Sequence, residues 1–176
     1  MKKLLIVITL LCSCGLLYSE ELHMENFIVK EISNRAKSET FYLGQIKSKK
    51  DFETFVNNYA IEEIENYSGF HDVIKAYNKD IDLYFTKGEV YTLVEIHIKA
   101  DKYYLQNTSI TVNKSIEEAL TKYSNSFTKI KNNDNYYFAE IEDYTSEFSN
   151  LAFLNISLCV NDEIIEKIVL YYSFTL

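Results

Sequence analysis

The chain has 176 residues, of which 47% are hydrophobic; that is enough to bury one core and too apolar for a disordered polymer. Its formal charge is −8, and removing Lys2 and Lys3 from the 18 basic residues while keeping all 26 acidic ones makes it −10. A surface this acidic excludes electrostatic capture of nucleic acid or of anionic lipid.

The first nineteen residues, MKKLLIVITLLCSCGLLYS, read as an export signal. Lys2 and Lys3 form a positive start, Leu4 to Leu11 an unbroken apolar run, and small polar residues follow. Two cuts compete. Leu11-Cys12-Ser13-Cys14 resembles a bacterial lipobox, which gives a signal over 1–13 and an acylated Cys14. Otherwise a signal peptidase cuts after Ser19, giving a signal over 1–19. The first cut anchors the chain on the outer membrane, and the second frees it into the periplasm or the medium. Leu4 to Leu17 is too short for the roughly 20 residues that cross a bilayer as a helix.

Residues 20–176 then form the mature domain. Alternation predicts strands over Phe27 to Ile32 and Phe41 to Ile46. Residues 46–59, IKSKKDFETFVNNY, align without a gap with residues 110–123, ITVNKSIEEALTKY. Phe52, Phe55, Val56 and Tyr59 match Ile116, Ala119, Leu120 and Tyr123, and both sets follow the i, i+3, i+4, i+7 spacing of one helical face. Asp51 and Ser115 take the same aligned place, as N-caps. A further helix is expected over Ala60 to Tyr67, where Ile61 and Ile64 carry a helical spacing.

Strands follow over Asp72 to Tyr77 and Ile81 to Phe85, although Phe70, Val73, Ile74 and Tyr77 also fit a helical face. In the next segment, TKGEVYTLVEIHI (86–98), alternation sets Val90, Thr92, Val94, Ile96 and Ile98 against Tyr91, Leu93, Glu95 and His97. Phe138 to Tyr144 and Leu151 to Val160 are the later counterparts, with VNDEIIEKIVLYY (160–172) matching 86–98. Lys87-Gly88 and Asn161-Asp162 are turn signals, so each half contains a hairpin. The expected fold is α+β: two tandem units of a helix plus an antiparallel meander, about 41–103 and 108–176, with both helices packed on one face of an antiparallel sheet.

In NKSIEEALTKY, in the NDEIIEKIVLYY hairpin and in their earlier counterparts, the chain resembles small exported bacterial proteins built from tandem helix-plus-meander units. These are the β-lactamase inhibitor proteins and, more distantly, the small lipoproteins of outer-membrane assembly. The resemblance is architectural and covers roughly residues 46–176. It implies a non-enzymatic binding or assembly role, and no functional residue transfers with it. Members carry a Gly before the helix and a Leu-Gly-x-Pro turn after it, whereas here Ala60 and Ser124 follow the aligned tyrosines.

No nucleophile elbow, zinc-protease helix, paired-cysteine motif or glycine-rich phosphate loop occurs. His23 falls near the mature N-terminus, where a mobile chain is expected. His97 alternates with Glu95 on the outward side of a strand and reads as a solvated group. His71 precedes Asp72, and a carboxylate can orient or charge an imidazole, although strand neighbours point to opposite faces. Cys159 is the lone thiol of the mature domain: a small semi-buried residue, or a reactive group.

Asn78-x-Asp80-x-Asp82 with Glu89 imitates a calcium loop, but Leu83 stands where the sharp turn needs Gly. A polar turn with solvated carboxylates is the simpler reading. Four Asn-x-Ser/Thr triplets begin at Asn66, Asn107, Asn113 and Asn155.

The sequence thus nominates no catalytic residue, no cofactor and no metal. Its residues of interest are Cys14, as a lipidation site, then His71 and Cys159. The leading expectation is an exported, non-enzymatic binding protein of the bacterial cell envelope, with another envelope protein as partner, no nucleic acid, and membrane contact only through a lipid on Cys14. Its alternatives are an assembly lipoprotein anchored through Cys14 and an enzyme with a dispersed site.

Overall fold

The computed structural model describes residues 19–32, 39–67, 72–129, 135–142 and 152–174. In chain order the elements are β1 (Val29–Glu31), β2 (Thr40–Phe41), β3 (Ile46–Ser48), α1 (Lys49–Phe55), β4 (Ala60–Ile64), β5 (Val73–Tyr77), β6 (Ile81–Thr86), β7 (Val90–Ile98), β8 (Tyr103–Leu105), α2 (Ile116–Lys122), β9 (Thr128–Lys129), β10 (Tyr136–Glu142), β11 (Ala152–Asn161) and β12 (Ile164–Phe174). Short 3-10 turns precede β1 and follow α1. Among the described residues no helix is long and apolar enough to cross a membrane.

The fold is α+β with a mostly antiparallel sheet. The large sheet runs β4-β5-β6-β7-β12-β11-β10-β9, so the meander β4 to β7 meets the meander β9 to β12 at one seam. That seam pairs Ile98 with Ile168 and Glu95 with Tyr171 in antiparallel register. Beyond it β3 takes the other end of the same β7 edge, with Ile46 opposite Thr92. A separate small sheet has the order β2-β1-β8.

One apolar core holds the fold together. Leu83, Phe85, Leu93, Ile96 and Ile98 from the first meander join Leu154, Ile156, Leu158, Ile168 and Leu170 from the second. Onto these pack Phe52 of α1, Ile116 and Ala119 of α2, and Val29, Phe41 and Leu105 of the small sheet. Each fully buried aliphatic side chain contributes about 1.5–3 kcal/mol. Phe52 lies flat on Tyr91 with ring centroids 4.0 Å apart and meets Phe85 edge-on at 5.1 Å.

Several expectations from the sequence are corrected. Residues 60–64 form the strand β4, with Ile61 opposite Ala76 and Ile64 opposite Val73, so the two isoleucines face opposite sides. Pairing with β5 overrides the short helical spacing, as non-local contacts commonly override propensity. The strand expected over Phe41 to Ile46 is two strands in different sheets. Gly44 breaks it, at φ +81°, where a Cβ would stand 3.2 Å from the Tyr172 hydroxyl.

The alternation read along β7 also fails at one point. Tyr84 pairs with Glu95 but Phe85 pairs with Leu93, so Val94 is the extra residue of a bulge. Tyr91 and Leu93 therefore enter the core with Ile96 and Ile98, while Val94 packs on the other face with Val73 and Tyr84.

The N-cap of α1 is Ser48, whose hydroxyl accepts from the Asp51 amide at 3.2 Å; Asp51 is the third residue of the helix. Ser115 caps α2 through the Glu117 amide. α1 thus starts about one turn earlier than the alignment places it.

A chain with four glycines must find left-handed turns elsewhere. Asn66, Asn107 and Asn113 take positive φ, as do Asp162 and Glu163, the two turn residues between β11 and β12. Asn and Asp tolerate that region at modest cost, and Glu does so less readily.

Candidate functional site

The sheet face opposite the core is where alternation places the polar partners of the core residues. Strand registers set two rows across it. One runs Lys75, Tyr84, Glu95, Tyr171, Asn155, Glu140, and its neighbour runs Tyr77, Asp82, His97, Val169, Ser157, Phe138. Side chains directly opposite each other in such pairs have Cβ atoms about 5 Å apart.

On the first meander these rows close into a charge cluster. The Asp82 carboxylate, with only 8% of its side chain exposed, accepts from Lys99 Nζ at 2.6 Å and lies 3.8 Å from both Lys75 Nζ and His97 Nδ1. The other ring nitrogen of His97 meets Glu95 Oε1, and the same oxygen accepts from the Tyr67 hydroxyl at 2.9 Å. The Tyr67 ring stacks on Tyr84 at 5.0 Å, and Tyr84 leans on His97 at 4.9 Å. Burial, then the charges of Asp82 and Glu95, push the Tyr84 phenol up to about 12. Burial and Glu95 raise Tyr67 in the same way.

His97 is therefore a correction. Its side chain is 16% exposed and bridges two carboxylates, where a solvated group was expected. The calcium-like pattern disperses as well. Asn78 Oδ1 accepts from the Asp80 and Ile81 amides, Asp80 pairs with Lys102 at 2.9 Å, and Asp82 belongs to the cluster just described. The two aspartates are paired rather than solvated.

The second meander presents an apolar and hydroxyl-bearing stretch, with the exposed Glu140 beside it. Phe138, Phe153, Ser157, Val169 and Tyr171 are all half-buried on this face. Burial raises the Tyr171 phenol, a Ser157 hydrogen bond offsets part of that, and Glu95 and Glu140 add to it.

Of the residues of interest from the sequence, Cys14 and His71 lie outside the described residues. Cys159 is half-buried on β11 between Tyr136 and Lys167. Burial pushes its thiol up against the pull of Lys167 and Tyr136, which favours the protonated and less reactive form. His23 is exposed, but its backbone is held, with its amide on Asn26 Oδ1 at 2.7 Å. Asn155 is 1% exposed, too buried to carry a glycan, while Asn66, Asn107 and Asn113 stand on exposed turns.

A depression beside α2, lined by Ser115, Glu117, Glu118, Thr121 and Lys122, is open to solvent and gathers no convergent set of catalytic groups. Among the described residues no three His, Cys, Asp or Glu side chains converge as a metal site. No protein family, curated protein or solved structure matches the chain.

Sequence reasoning missed the Asp82, Glu95, His97, Lys75 and Lys99 cluster. Its signal is present as charged residues at alternate positions of three strands, but the register that brings them together is a tertiary property.

Proposed function

We propose that the protein is an exported, non-enzymatic binding module of the bacterial cell envelope, and that its partner protein seats on the sheet face opposite the core. The observation that carries this reading is a half-buried stretch of aromatic and aliphatic side chains on the same face as a polar cluster whose members hold one another. Asp82 is met by Lys99, Lys75 and His97, and Glu95 by His97 and Tyr67. Glu95 takes both of its partners on one oxygen, and Asp82 has one hydrogen bond and two basic groups at 3.8 Å, so the cluster is a fixed polar patch on this face. Beside the cluster, half-buried Phe138, Phe153 and Tyr171 offer stiff, amphipathic contact area of the kind that interfaces favour.

The likeness of the two halves supports duplication as the origin of this face. Each half has a seven-residue helix capped by Ser, then a four-stranded meander, and the last strands of the two meanders pair. Helix burial follows the gapless alignment: Phe52 and Ile116 are both buried, and so is Tyr123, whose counterpart Tyr59 packs partly buried against the core.

A photo-crosslinking residue at Phe138, compared with one at the exposed Glu53 on α1, tests the contact face in exporting cells. The expected result is a discrete adduct from position 138 alone, competed away by unlabelled protein. Adducts of equal yield from both positions, or none from either, overturn the reading.

A further inference from the structure

The segment just after the expected export signal is tied to the end of α2. The Glu20 amide donates to the Lys122 carbonyl at 2.7 Å, and the Glu20 carboxylate lies 3.3 Å from Lys122 Nζ. The Leu22 amide donates to Ser126 Oγ at 2.9 Å, and Leu22 itself is buried in the core. Ser19 adds a hydroxyl that accepts from the Asn125 amide at 3.2 Å, on the exposed rim. Among the described residues, Leu22 is the first that is buried in the core. Lys122 is the last residue of α2, so its carbonyl is among those that the helix leaves without an internal partner.

We propose that processing cuts the Ser19–Glu20 bond and that the new ammonium group of Glu20 caps the C-terminal end of α2. This rests on the export reading above. In the cut, a membrane-bound signal peptidase directs water onto the Ser19 carbonyl. The amide bond breaks, the water oxygen stays on Ser19 as part of its carboxylate, and both water protons end on the Glu20 nitrogen, which becomes an ammonium group. A neutral amide donor on Lys122 then becomes a cationic one, in the place where a helix end favours positive charge and where charge-assisted bonds are stronger.

The competing cut at Cys14 fits this geometry less well. With that cut Glu20 stays within the chain, so the donor on the Lys122 carbonyl remains a neutral amide and brings no positive charge to the helix end.

Two measurements test the proposal. The first is the intact mass of the mature chain recovered from exporting cells. A start at Glu20 supports the proposal, a diacylated start at Cys14 overturns it while leaving export intact, and a full-length chain retained in the cytosol overturns the export reading itself.

The second compares chain 20–176 bearing a free amine with the same chain N-acetylated. The free amine gains a partner on folding, so its pKa in the folded protein rises above the unfolded value of about 7.7–8.0. Its stabilisation is complete below that value and is lost as pH rises through the folded one. The expected result is a Tm higher by about 1–4 °C for the free amine at pH 6, closing by pH 10. Equal Tm values at pH 6 overturn the capping.

Discussion

The two meanders use the same construction toward the core and opposite chemistry away from it. Inward, Leu83, Leu93 and Ile96 in the first answer Leu154, Ile156 and Leu158 in the second, all buried. Outward, the first carries Lys75, Asp82, Glu95 and His97 in mutual contact, while the second carries Phe138, Phe153, Ser157 and Val169, with Glu140 exposed beside them. Burial constrains the inward residues to one volume and polarity, since cores are close-packed. The outward residues need only satisfy their own neighbours, so one half locks its polar groups together and the other leaves contact area open.

Truncating the shared feature should hurt both halves alike. Leu83→Ala and Leu158→Ala each remove a fully buried side chain and should each cost about 2–5 kcal/mol, read from urea midpoints. A loss confined to one variant would break the equivalence of the two inward faces.

The outward faces should respond unequally. Lys99→Met leaves the buried Asp82 carboxylate with its two 3.8 Å neighbours and should cost about 2 kcal/mol. Val169→Ala, on the second meander, removes two methyl groups from a half-buried site and should cost about 1 kcal/mol or less. Equal costs would mean that the ion cluster contributes no more than packing does.

Alkaline titration sharpens the same contrast. Tyr84 is raised from 10.0 to about 12 and Tyr67 is raised too, so the folded chain holds protons that the unfolded chain releases near pH 10. Stability should fall as pH climbs from 10 to 12. Tyr84→Phe should reduce that slope, with tyrosinate absorbance and circular dichroism followed together, and an unchanged slope would exclude Tyr84 as a source of it.

The last effect is a gain. Glu163 sits at φ 64° in the β11 to β12 turn, and Glu163→Gly should stabilise by about 1 kcal/mol, seen as a slightly higher Tm.

Much of the architecture was legible in local sequence. The strands at 73–77, 81–86 and 152–161 stand within a residue or two of where alternation set them, and both helices follow their apolar spacing. What was hidden depends on residues far apart in the chain. The bulge at Val94 exists because β6 and β7 pair out of phase there, and no local pattern shows a phase change between two strands. β4 looked helical because a five-residue strand carries too few positions to separate the two periods. The cluster around Asp82 needed β5, β6 and β7 in register before its charges could be seen as neighbours.

β4 closes one end of the large sheet, with Ile61 45% exposed and one edge of its backbone without a neighbouring strand among those described. Such an edge is a template for fibril growth. Here the strand reads Ala60-Ile61-Glu62-Glu63-Ile64, and both glutamates are exposed. A second molecule adding antiparallel about its centre would set carboxylate against carboxylate. Lys75 and Lys87, reaching across from within the chain, lie 3.9 and 2.9 Å from those glutamates and offset part of their charge, so the protection is the repulsion that this pairing leaves. The acidic pair thus works against polymerisation at an edge that no described strand covers.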